Sequence, residues 1–320
     1  MPEPIPFAPG ATLADVGEFA VVQELVRRLG QGPLVYVGPG DDAAVVRAPK
    51  GHVVVSTDLL VEGRHFRRAW ASAADVGHRA AAQNLSDINA MGGTATALTV
   101  GVAAPPDLPA QWLLELADGL AEEAQAQGAS VVGGDLTAAD QVTVAVTVLG
   151  QCEVKPVLRS GAQPGDTVAI AGRQGWAAGG LAVIGRGFRS PRVLVEALQR
   201  PQPPYDAGPA AAKAGATAMI DVSDGLVADV GHISADSGVA IDLNRGALEV
   251  PEPLVAVGRA LGTDPVGYVL SGGEDHALVA TFPAGSELPQ GFTVIGSVAA
   301  GEGVTVDGAP YDGPAGHTHF

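Results

Sequence analysis

The stretch Val53-Val54-Val55-Ser56-Thr57-Asp58 decides the fold, because an apolar run typical of a strand passes directly into a polar cluster that ends in a carboxylate. Similar combinations recur along the chain. The clusters are Gly40-Asp41-Asp42, Ser56-Thr57-Asp58, Ser86-Asp87, Gly133-Gly134-Asp135, Asp221-Val222-Ser223-Asp224-Gly225 and Gly272-Gly273-Glu274-Asp275. Glycine lets a backbone approach a ligand closely, and Mg²⁺ is held by a few carboxylates together with substrate phosphates. These clusters therefore predict a site for several metal ions and a polyphosphate.

The composition predicts a folded protein of two domains. A length of 320 residues suits two domains of ordinary size, and a hydrophobic fraction of 47% is too high for a disordered chain. Aromatic residues make up only 4%, so we expect a core of Ala, Val, Leu and Ile.

The charge argues against nucleic-acid binding. The chain has 18 basic and 35 acidic residues, and 18 − 35 gives a net charge of −17, whereas a nucleic-acid site requires a basic face. A site for an anionic substrate would need metal ions to invert the local charge. A solubility charge spread over the surface is the alternative, but it does not explain the clusters beside glycine.

Three features predict a soluble, cytoplasmic protein. Cys152 is the only cysteine, which excludes an internal disulfide and fits a reducing compartment. The start Met1-Pro2-Glu3-Pro4 lacks the pattern of a signal peptide. No apolar run reaches the ~18 residues of a membrane span.

Intermingled helices and strands predict an α+β fold with domains at residues 1–150 and 151–320. The boundary is expected near 151–165, where Gln163-Pro164-Gly165-Asp166 signals a turn. The helices are predicted at 16–29, 73–91, 109–127, 176–186, 191–199, 206–214, 225–236 and 251–261. The strands are predicted at 34–37, 43–47, 52–57, 95–102, 130–132, 142–149, 167–171, 218–222, 238–243, 266–270, 276–282 and 292–298, and residues 301–320 are predicted to be loop.

Each cluster also has a simpler interpretation. Gly38-Pro39-Gly40-Asp41-Asp42-Ala43 matches the dinucleotide pattern G-x-G-x-x-A, but no full helix follows, which leaves a metal site or a plain turn. Ser56-Thr57-Asp58 could complete a magnesium shell or form a turn at a strand end. Asn84, Ser86 and Asp87 are indifferent helix formers inside a predicted helix. Two interpretations are open: Asp87 faces inward and bridges metals, or the three residues form a solvated polar face.

Further residues are candidates for contacts with phosphate or substrate. The amides of Gly133-Gly134 could meet a phosphate, and Asp224 is also a natural helix N-cap. Arg159 is a phosphate clamp or a surface arginine, and His65 is a substrate contact or a surface histidine. The chain has no Walker A motif and no H-R-D or D-F-G motif, so ATP would be held through metals, glycine amides and arginine.

In order and spacing, these motifs resemble the thiamine-monophosphate kinase family, within the ATP-binding superfamily related to aminoimidazole ribonucleotide synthetase. The resemblance runs from about Gly17 to the end of the chain. The motifs that carry it are Gly40-Asp41-Asp42-Ala43, Ser56-Thr57-Asp58-Leu59-Leu60-Val61-Glu62-Gly63-Arg64-His65-Phe66, Asn84-Leu85-Ser86-Asp87-Ile88-Asn89-Ala90-Met91-Gly92, Asp221-Val222-Ser223-Asp224-Gly225-Leu226 and Ser271-Gly272-Gly273-Glu274-Asp275.

The resemblance implies a two-domain fold like aminoimidazole ribonucleotide synthetase. The N-terminal mixed sheet with helices would bind ATP and Mg²⁺ and form the interface of a homodimer, and the C-terminal α/β domain would complete the active site. The implied metal ligands are Asp42, Ser56, Thr57, Asp58, Asp87, Asp135, Asp221 and Asp224. The implied nucleotide contacts are Gly134, Asp135, Arg159 and Ser223, and the implied thiamine-phosphate contacts are His65, Glu274 and, near the C-terminus, Tyr311.

The implied reaction is ATP-dependent phosphorylation of thiamine monophosphate to thiamine diphosphate, with several magnesium ions and direct in-line transfer. The acceptor is a phosphate monoester already mostly ionised near pH 7, so it needs no general base, and no catalytic side chain is assigned. The rivals are selenophosphate synthetase, aminoimidazole ribonucleotide synthetase, the hydrogenase-maturation dehydratase and a nucleotide-binding regulator without turnover. The first carries a reactive cysteine near its N-terminus and the third ends in cysteine, whereas this chain has neither.

Overall fold

The structure is a computed structural model, and it describes residues 7, 8, 10–37, 45–49, 51–314, 316 and 317. The chain forms two compact units. The first comprises Met1–Ile88 and Thr94–Gln151, and the second comprises Asn89–Gly93 and Cys152–Phe320. The functions assigned to the two domains from the sequence stay predictions.

A four-stranded mixed sheet is the framework of the first unit. The helices that lie wholly or mostly in this unit are α1 Leu13–Val16, α2 Glu18–Arg28, α3 Ala73–Ala90 and α4 Ala110–Ala126. The strands are β1 Val35–Val37, β2 Val45–Val46, β3 Val54–Val61, β4 Gly93–Ala104, β5 Ser130–Ala138 and β6 Thr143–Cys152. The sheet has the order β3-β6-β4-β5, with β3 antiparallel to β6 and β4 parallel to β5, and β1 and β2 form a separate antiparallel pair.

Two glycines allow helices α3 and α4 to pack at backbone distance. A Cβ atom on Gly77 would overlap the carbonyl oxygen of Leu116, and one on Gly119 would overlap the carbonyl oxygen of Ala74. The contact is reciprocal, since each helix contributes one glycine. It fixes the position of α3, the helix that carries Asp87.

The two faces of the four-stranded sheet differ. On the covered face, Leu60 of β3 is buried and the side chain of Ile88 in α3 approaches Gly150 of β6. On the other face, Val55 and Leu59 of β3 are 62% and 51% exposed. Because side chains alternate along a strand, β3 presents polar Ser56 and Asp58 on the covered face and Val55, Thr57 and Leu59 to solvent.

The second unit contains a seven-stranded sheet of order β13-β12-β9-β11-β7-β10-β8. The strands are β7 Thr167–Ala171, β8 Ala218–Val222, β9 Val239–Leu243, β10 Ala277–Phe282, β11 Phe292–Ala300, β12 Gly303–Val306 and β13 Ala309–Pro310. The helices are α5 Trp176–Ile184, α6 Arg192–Gln199, α7 Ala207–Lys213, α8 Leu226–Ser237, α9 Glu252–Leu261 and α10 Pro265–Ser271, with a 3₁₀ turn at Arg245–Ala247. The pairing is antiparallel except between β9 and β12.

Small aliphatic residues and one large aromatic side chain fill a core of the second unit. Ala169, Leu278 and Ala280 on neighbouring strands are fully buried, with Met219 and Phe282 beside them. This agrees with the low aromatic content of the chain. The two mixed sheets and their helices confirm the predicted α+β class.

Two sequence predictions about secondary structure were wrong. Residues 266–270 form helix α10 and not a strand, because Asp264 accepts a hydrogen bond from the backbone N–H of Val266 at 3.0 Å and Pro265 occupies the first helical turn. The tail predicted as loop contains strands β12 and β13, and β12 pairs with the buried strand β9.

Strand lengths also differ from the predictions. Strand β3 continues through Ser56-Thr57-Asp58, and β5 continues through Gly133-Gly134-Asp135, so neither cluster ends its strand. A pattern that alternates between a covered and an exposed face tolerates polar residues, and this is why the strands extend further than their apolar runs. Among the described residues, no helix has the length and apolar character needed to cross a bilayer.

Candidate active site

Ser56 and Asp87 form the central contact of the candidate site in the first unit. Ser56 Oγ donates a hydrogen bond to Asp87 Oδ2 at 2.6 Å, which joins strand β3 to helix α3. One turn earlier in α3, Asn84 is fully buried, accepts from the backbone N–H of Asp58 at 3.1 Å and donates to Ala80 O at 2.9 Å. Asn84 and Asp87 therefore face strand β3, and the interpretation as a solvated polar face was wrong for Asn84 and for the buried Ser86.

Thr57 points away from its two neighbours. Its hydroxyl lies 2.8 Å from the hydroxyl of Thr147 on β6, in an exposed contact. Since alternate residues of a strand face opposite sides, the side chain of Thr57 is not grouped with Ser56 and Asp58. A ligand role for this hydroxyl stays a prediction.

His65 lies in the turn that follows β3. Its Nδ1 accepts a hydrogen bond from the backbone N–H of Val61 at 3.0 Å, and its own N–H donates to Val61 O at 2.9 Å. An imidazole nitrogen that accepts carries no proton, so Nε2 carries the proton of the neutral ring. The ring is partly buried and held by the backbone, so it is a fixed group and not a freely rotating surface side chain.

Gly134 and Asp135 lie on β5, at the opposite edge of the sheet from β3. A Cβ atom on Gly134 would overlap the carbonyl oxygen of Val100 on β4, so strand pairing by itself requires glycine here. Asp135 is exposed. Strands β3 and β5 are three strand spacings apart, about 14 Å, so the sheet does not bring Asp135 next to Ser56 and Asp58.

In the second unit, Asp221 lies within strand β8 and is buried, with 5% exposed. Its Oδ2 is 3.1 Å from Nδ1 of His276, which is equally buried. The next residues form a turn that pairs with the segment 272–276. Glu274 N–H donates to Ser223 O at 3.0 Å, and His276 N–H donates to Val222 O at 3.2 Å.

Asp229 of helix α8 holds the turn from the other side. Its Oδ2 accepts from the backbone N–H groups of Asp224 and Gly225, both at 3.0 Å. Burial is the main reason that the pKa of Asp229 is raised to about 7, and the nearby charge of Asp221 raises it further. The predicted N-cap role of Asp224 was wrong, because Gly225 occupies the N-cap position with φ of 142° and no side chain caps it.

The segment Gly272–His276 has an unusual backbone. Glu274 and His276 have φ of 71° and 54°, a region that non-glycine residues seldom adopt. Gly273 lies so close to Ser223 O that a Cβ atom would overlap it. Asp275 is buried and accepts from the N–H of Ala177 at 2.9 Å at the start of α5, and burial raises its pKa to about 7. The segment is thus held through both its backbone and Asp275.

The remaining candidates of the second unit have simpler surroundings. The side chain of Arg159 is exposed, and its carbonyl oxygen accepts from Ser237 Oγ at 2.9 Å. Tyr311 is partly buried, with its hydroxyl 2.9 Å from Ser271 Oγ. Near the C-terminus, His317 N–H donates to Asp224 O at 2.9 Å, which brings the tail to the turn after β8.

The oxygen-rich donor set suits Mg²⁺, although the described residues do not form a complete metal cage. In the part of the chain that the structure describes, no three His, Cys, Asp or Glu side chains group closely enough to hold a metal. Asp42 lies outside the described residues. Asp58, Asp87 and Asp221 are nevertheless placed by hydrogen bonds, and Mg²⁺ is usually bound by one or two carboxylates plus substrate phosphates.

Sequence reasoning missed Asp229 and His276. An acidic residue in the first turn of a helix was the available signal for Asp229, and adjacency to Gly272-Gly273-Glu274-Asp275 was the signal for His276. Their contacts are with residues four, five and 55 positions away, which the sequence patterns do not reveal.

Comparisons with known proteins identify the family. Residues 40–152 match the model of the AIR synthase related protein, N-terminal domain. Thiamine-monophosphate kinase of Mycobacterium tuberculosis (strain CDC 1551 / Oshkosh) is 50% identical over 312 residues, which cover 97% of this chain and 93% of that protein.

Solved structures agree. The thiamine-monophosphate kinase of Stenotrophomonas maltophilia K279a is 32% identical and covers 92% of this chain and 98% of its own, with a TM-score of 0.81. AaThiL in complex with AMPPCP and TMP is 31% identical and covers 97% of this chain and 99% of its own, also with a TM-score of 0.81. The chain belongs to the thiamine-monophosphate kinase family.

Proposed function

We propose that this protein transfers the γ-phosphoryl group of ATP to thiamine monophosphate, with thiamine diphosphate and ADP as products. The observation that carries the proposal is the match over nearly the whole chain to thiamine-monophosphate kinases, including AaThiL with AMPPCP and TMP. This reaction is a step of thiamine diphosphate biosynthesis. We expect it in the cytoplasm, and the single cysteine of the chain, Cys152, supports this because it fits a reducing compartment.

The chemistry of the acceptor fits the residues present. A phosphate monoester is mostly ionised near pH 7, because its second pKa is about 6, so no side chain needs to remove a proton. The difficulty is to bring two polyanions together at a protein with a net charge of −17. Catalysis of this kind rests on positioning and on stabilising charge in the transition state.

We propose that magnesium ions are bound by Asp42, Ser56, Asp58, Asp87, Asp135, Asp221 and Asp224, with Thr57 contributing oxygen ligands. When bound, these ions would offset the repulsion between the phosphates and spread the transition-state charge. The hydroxyl of Ser56 keeps one oxygen of Asp87 fixed, and Asn84 keeps the backbone at Asp58 fixed. Such support reduces the rearrangement that binding would require.

Nucleotide and substrate contacts are proposed on the same basis. Gly134, Asp135, Arg159 and Ser223 would contact the nucleotide. His65, Glu274 and Tyr311 would contact thiamine monophosphate, whose thiazolium ring is a cation. A carboxylate at Glu274 and an aromatic ring at Tyr311 are groups that attract a cation, which supports this assignment.

The protein is proposed to be a homodimer formed through the exposed face of the four-stranded sheet. Val55 and Leu59 on β3 are 62% and 51% exposed, and Val53 just before the strand is 47% exposed. Several large apolar side chains exposed on one face of a sheet are typical of an interface. Light scattering should give twice 32.0 kDa, and Val55→Glu should give 32.0 kDa. Val294→Glu, at an exposed apolar residue of the second unit, is the control, and a wild-type monomer would contradict the proposal.

The first experiment is an assay of purified protein with ATP, Mg²⁺ and thiamine monophosphate, with products separated by chromatography. Equal amounts of thiamine diphosphate and ADP are expected. Turnover of ATP with formylglycinamidine ribonucleotide as acceptor would overturn the substrate but keep the fold, and binding of ATP without turnover would indicate a regulator.

Direct in-line transfer predicts that no phosphorylated protein forms. Mass spectrometry of protein quenched during turnover should show only the unmodified chain. A covalent phosphate on the protein that forms and decays at the rate of turnover would exclude direct transfer.

A further inference from the structure

His276 occupies a position that the reaction described above leaves without a role. It is 4% exposed, adopts a left-handed backbone conformation and lies where strand β10 begins. A buried imidazole beside a buried carboxylate costs free energy unless the two form a hydrogen bond, and here Nδ1 of His276 lies 3.1 Å from Oδ2 of Asp221. An ionised carboxylate only accepts hydrogen bonds, so Nδ1 is the donor.

The backbone brings these two side chains together. Strand β10 pairs with β8, with Ala277 opposite Val222 and Leu278 opposite Asp221. His276 N–H extends this pairing to Val222 O at 3.2 Å. The main chain therefore fixes the position of His276 independently of its side chain. Its ring can then hold the carboxylate of Asp221 in one orientation.

The same residue lies two positions from the proposed substrate contact. Glu274 N–H bonds to Ser223 O, so residues 274 and 276 both pair with the segment that carries Asp221 and Ser223. The carboxylate proposed for metal binding and the carboxylate proposed for substrate binding are thus held by one short stretch of backbone.

We propose that His276 is a positioning residue for phosphoryl transfer, which fixes the carboxylate of Asp221 in the orientation that binds a metal ion. This inference rests on the proposed function for the identity of the reaction. Partners that orient a metal-binding carboxylate are typically worth about 10- to 100-fold in metal affinity or activity. His276 contacts neither metal nor substrate in this role, since its effect passes through Asp221.

The test compares His276→Leu, which removes the hydrogen bond, with His276→Asn. The amide nitrogen of asparagine can take the place of Nδ1, and asparagine tolerates the left-handed backbone. Binding of Mn²⁺ in the presence of AMPPCP, followed by electron paramagnetic resonance, gives a readout that does not depend on turnover. We expect His276→Leu to weaken Mn²⁺ binding about 10-fold or more and His276→Asn to restore most of it.

Kinetic measurements distinguish positioning from a merely structural role. His276→Leu is expected to lower kcat and to raise the Mg²⁺ concentration needed for half-maximal activity, with little change in KM for thiamine monophosphate. His232→Leu, at an exposed histidine of α8, should match the wild type in each measurement. If His276→Leu does not fold, His276→Gln replaces it, because its longer side chain moves the amide away from the position of Nδ1.

Wild-type Mn²⁺ affinity in a folded His276→Leu or His276→Gln protein would overturn the inference. So would a His276→Asn protein that binds Mn²⁺ no better than those variants. Failure of the wild type to form thiamine diphosphate would instead refute the proposed function, and the comparison of Mn²⁺ binding would still test the role of His276.

Discussion

The candidate residues of the two units are held in different ways. In the first unit, Ser56 on a strand and Asp87 on a helix contact each other directly through their side chains. In the second unit, the turn at Ser223 and Asp224 is held largely through main-chain groups, with Asp229 as the acceptor for two N–H groups. The first arrangement depends on how a helix packs on a sheet, and the second depends on whether buried backbone groups find partners.

Asp87→Ala is the change expected to have the largest effect. It removes the carboxylate that joins α3 to β3 and that we propose as a metal ligand, so activity should fall about 10²- to 10³-fold. Asp87→Asn retains an acceptor for Ser56 but loses the charge. Comparison of the two variants therefore separates the effect of the hydrogen bond to Ser56 from the effect of the negative charge. Steady-state kinetics are the measurement, Asp107→Ala in an exposed loop is the control, and wild-type activity in Asp87→Ala would contradict the metal assignment.

Asp229→Leu tests the second arrangement. Two N–H groups, one buried and one partly buried, lose their acceptor, and each unsatisfied group costs about 1–3 kcal/mol, so the free energy of unfolding should fall by about 2–6 kcal/mol. Asp229→Asn keeps an oxygen in place and should recover much of this loss. Urea denaturation measures both, and equal destabilisation by the two variants would show that the N–H contacts are not the cause.

Gly77→Ala tests the dependence of the first unit on helix packing. A Cβ atom would overlap Leu116 O, and overpacking typically costs about 1–3 kcal/mol. Gly231→Ala in α8 is the matched control, because nothing lies within 4 Å of its added Cβ and alanine favours a helix. Thermal unfolding should therefore shift in opposite directions for the two variants, and a shift in the same direction would contradict the packing account.

The smallest expected change is in the pH dependence of stability. The pKa of Asp275 is about 7 in the folded protein, chiefly through burial, against an ordinary value of 3.8. Between these values the folded protein holds a proton that the unfolded chain releases, so the stabilisation is complete below about pH 4 and is lost as the pH rises through about 7.

This group should therefore lower the free energy of unfolding by about 1 kcal/mol per pH unit between pH 5 and 6.5. Asp275→Asn removes this contribution and leaves that of Asp229, whose pKa is also raised to about 7, whereas Asp236→Asn at an exposed position should retain both. Urea denaturation across this pH range gives the measurement. An unchanged slope in Asp275→Asn would show that Asp275 does not take up a proton on folding.

The sequence predicted the regular parts of the first unit well, because amphipathic periodicity and glycine stops are local signals. The helix predicted at 73–91 forms at Ala73–Ala90, whereas Asn84, Ser86 and Asp87 left both an inward-facing and a solvated interpretation open. The ends of strands were predicted less well. The strand predicted to end at Thr57 continues to Val61, because one of its faces is exposed and tolerates polar residues.

The second unit was harder to predict because its site depends on contacts between distant segments. Asp264-Pro265 carried a helix-start signal for α10, but the apolar run Tyr268-Val269-Leu270 also suits a strand. The contact between His276 and Asp221 spans 55 positions and has no local pattern, so only the fold could reveal it.

The glycine contact between α3 and α4 also affects how accurately Asp87 is positioned for the reaction. Gly77 lies ten residues before Asp87 on the same helix, a distance of about 15 Å along its axis. A displacement of 1 Å at a reacting group can cost about 100-fold in rate, even when its origin is remote. A single methyl group at Gly77 would therefore displace Asp87 and slow the reaction. The rate of phosphoryl transfer would then depend on a residue that lies about 15 Å along the helix from Asp87.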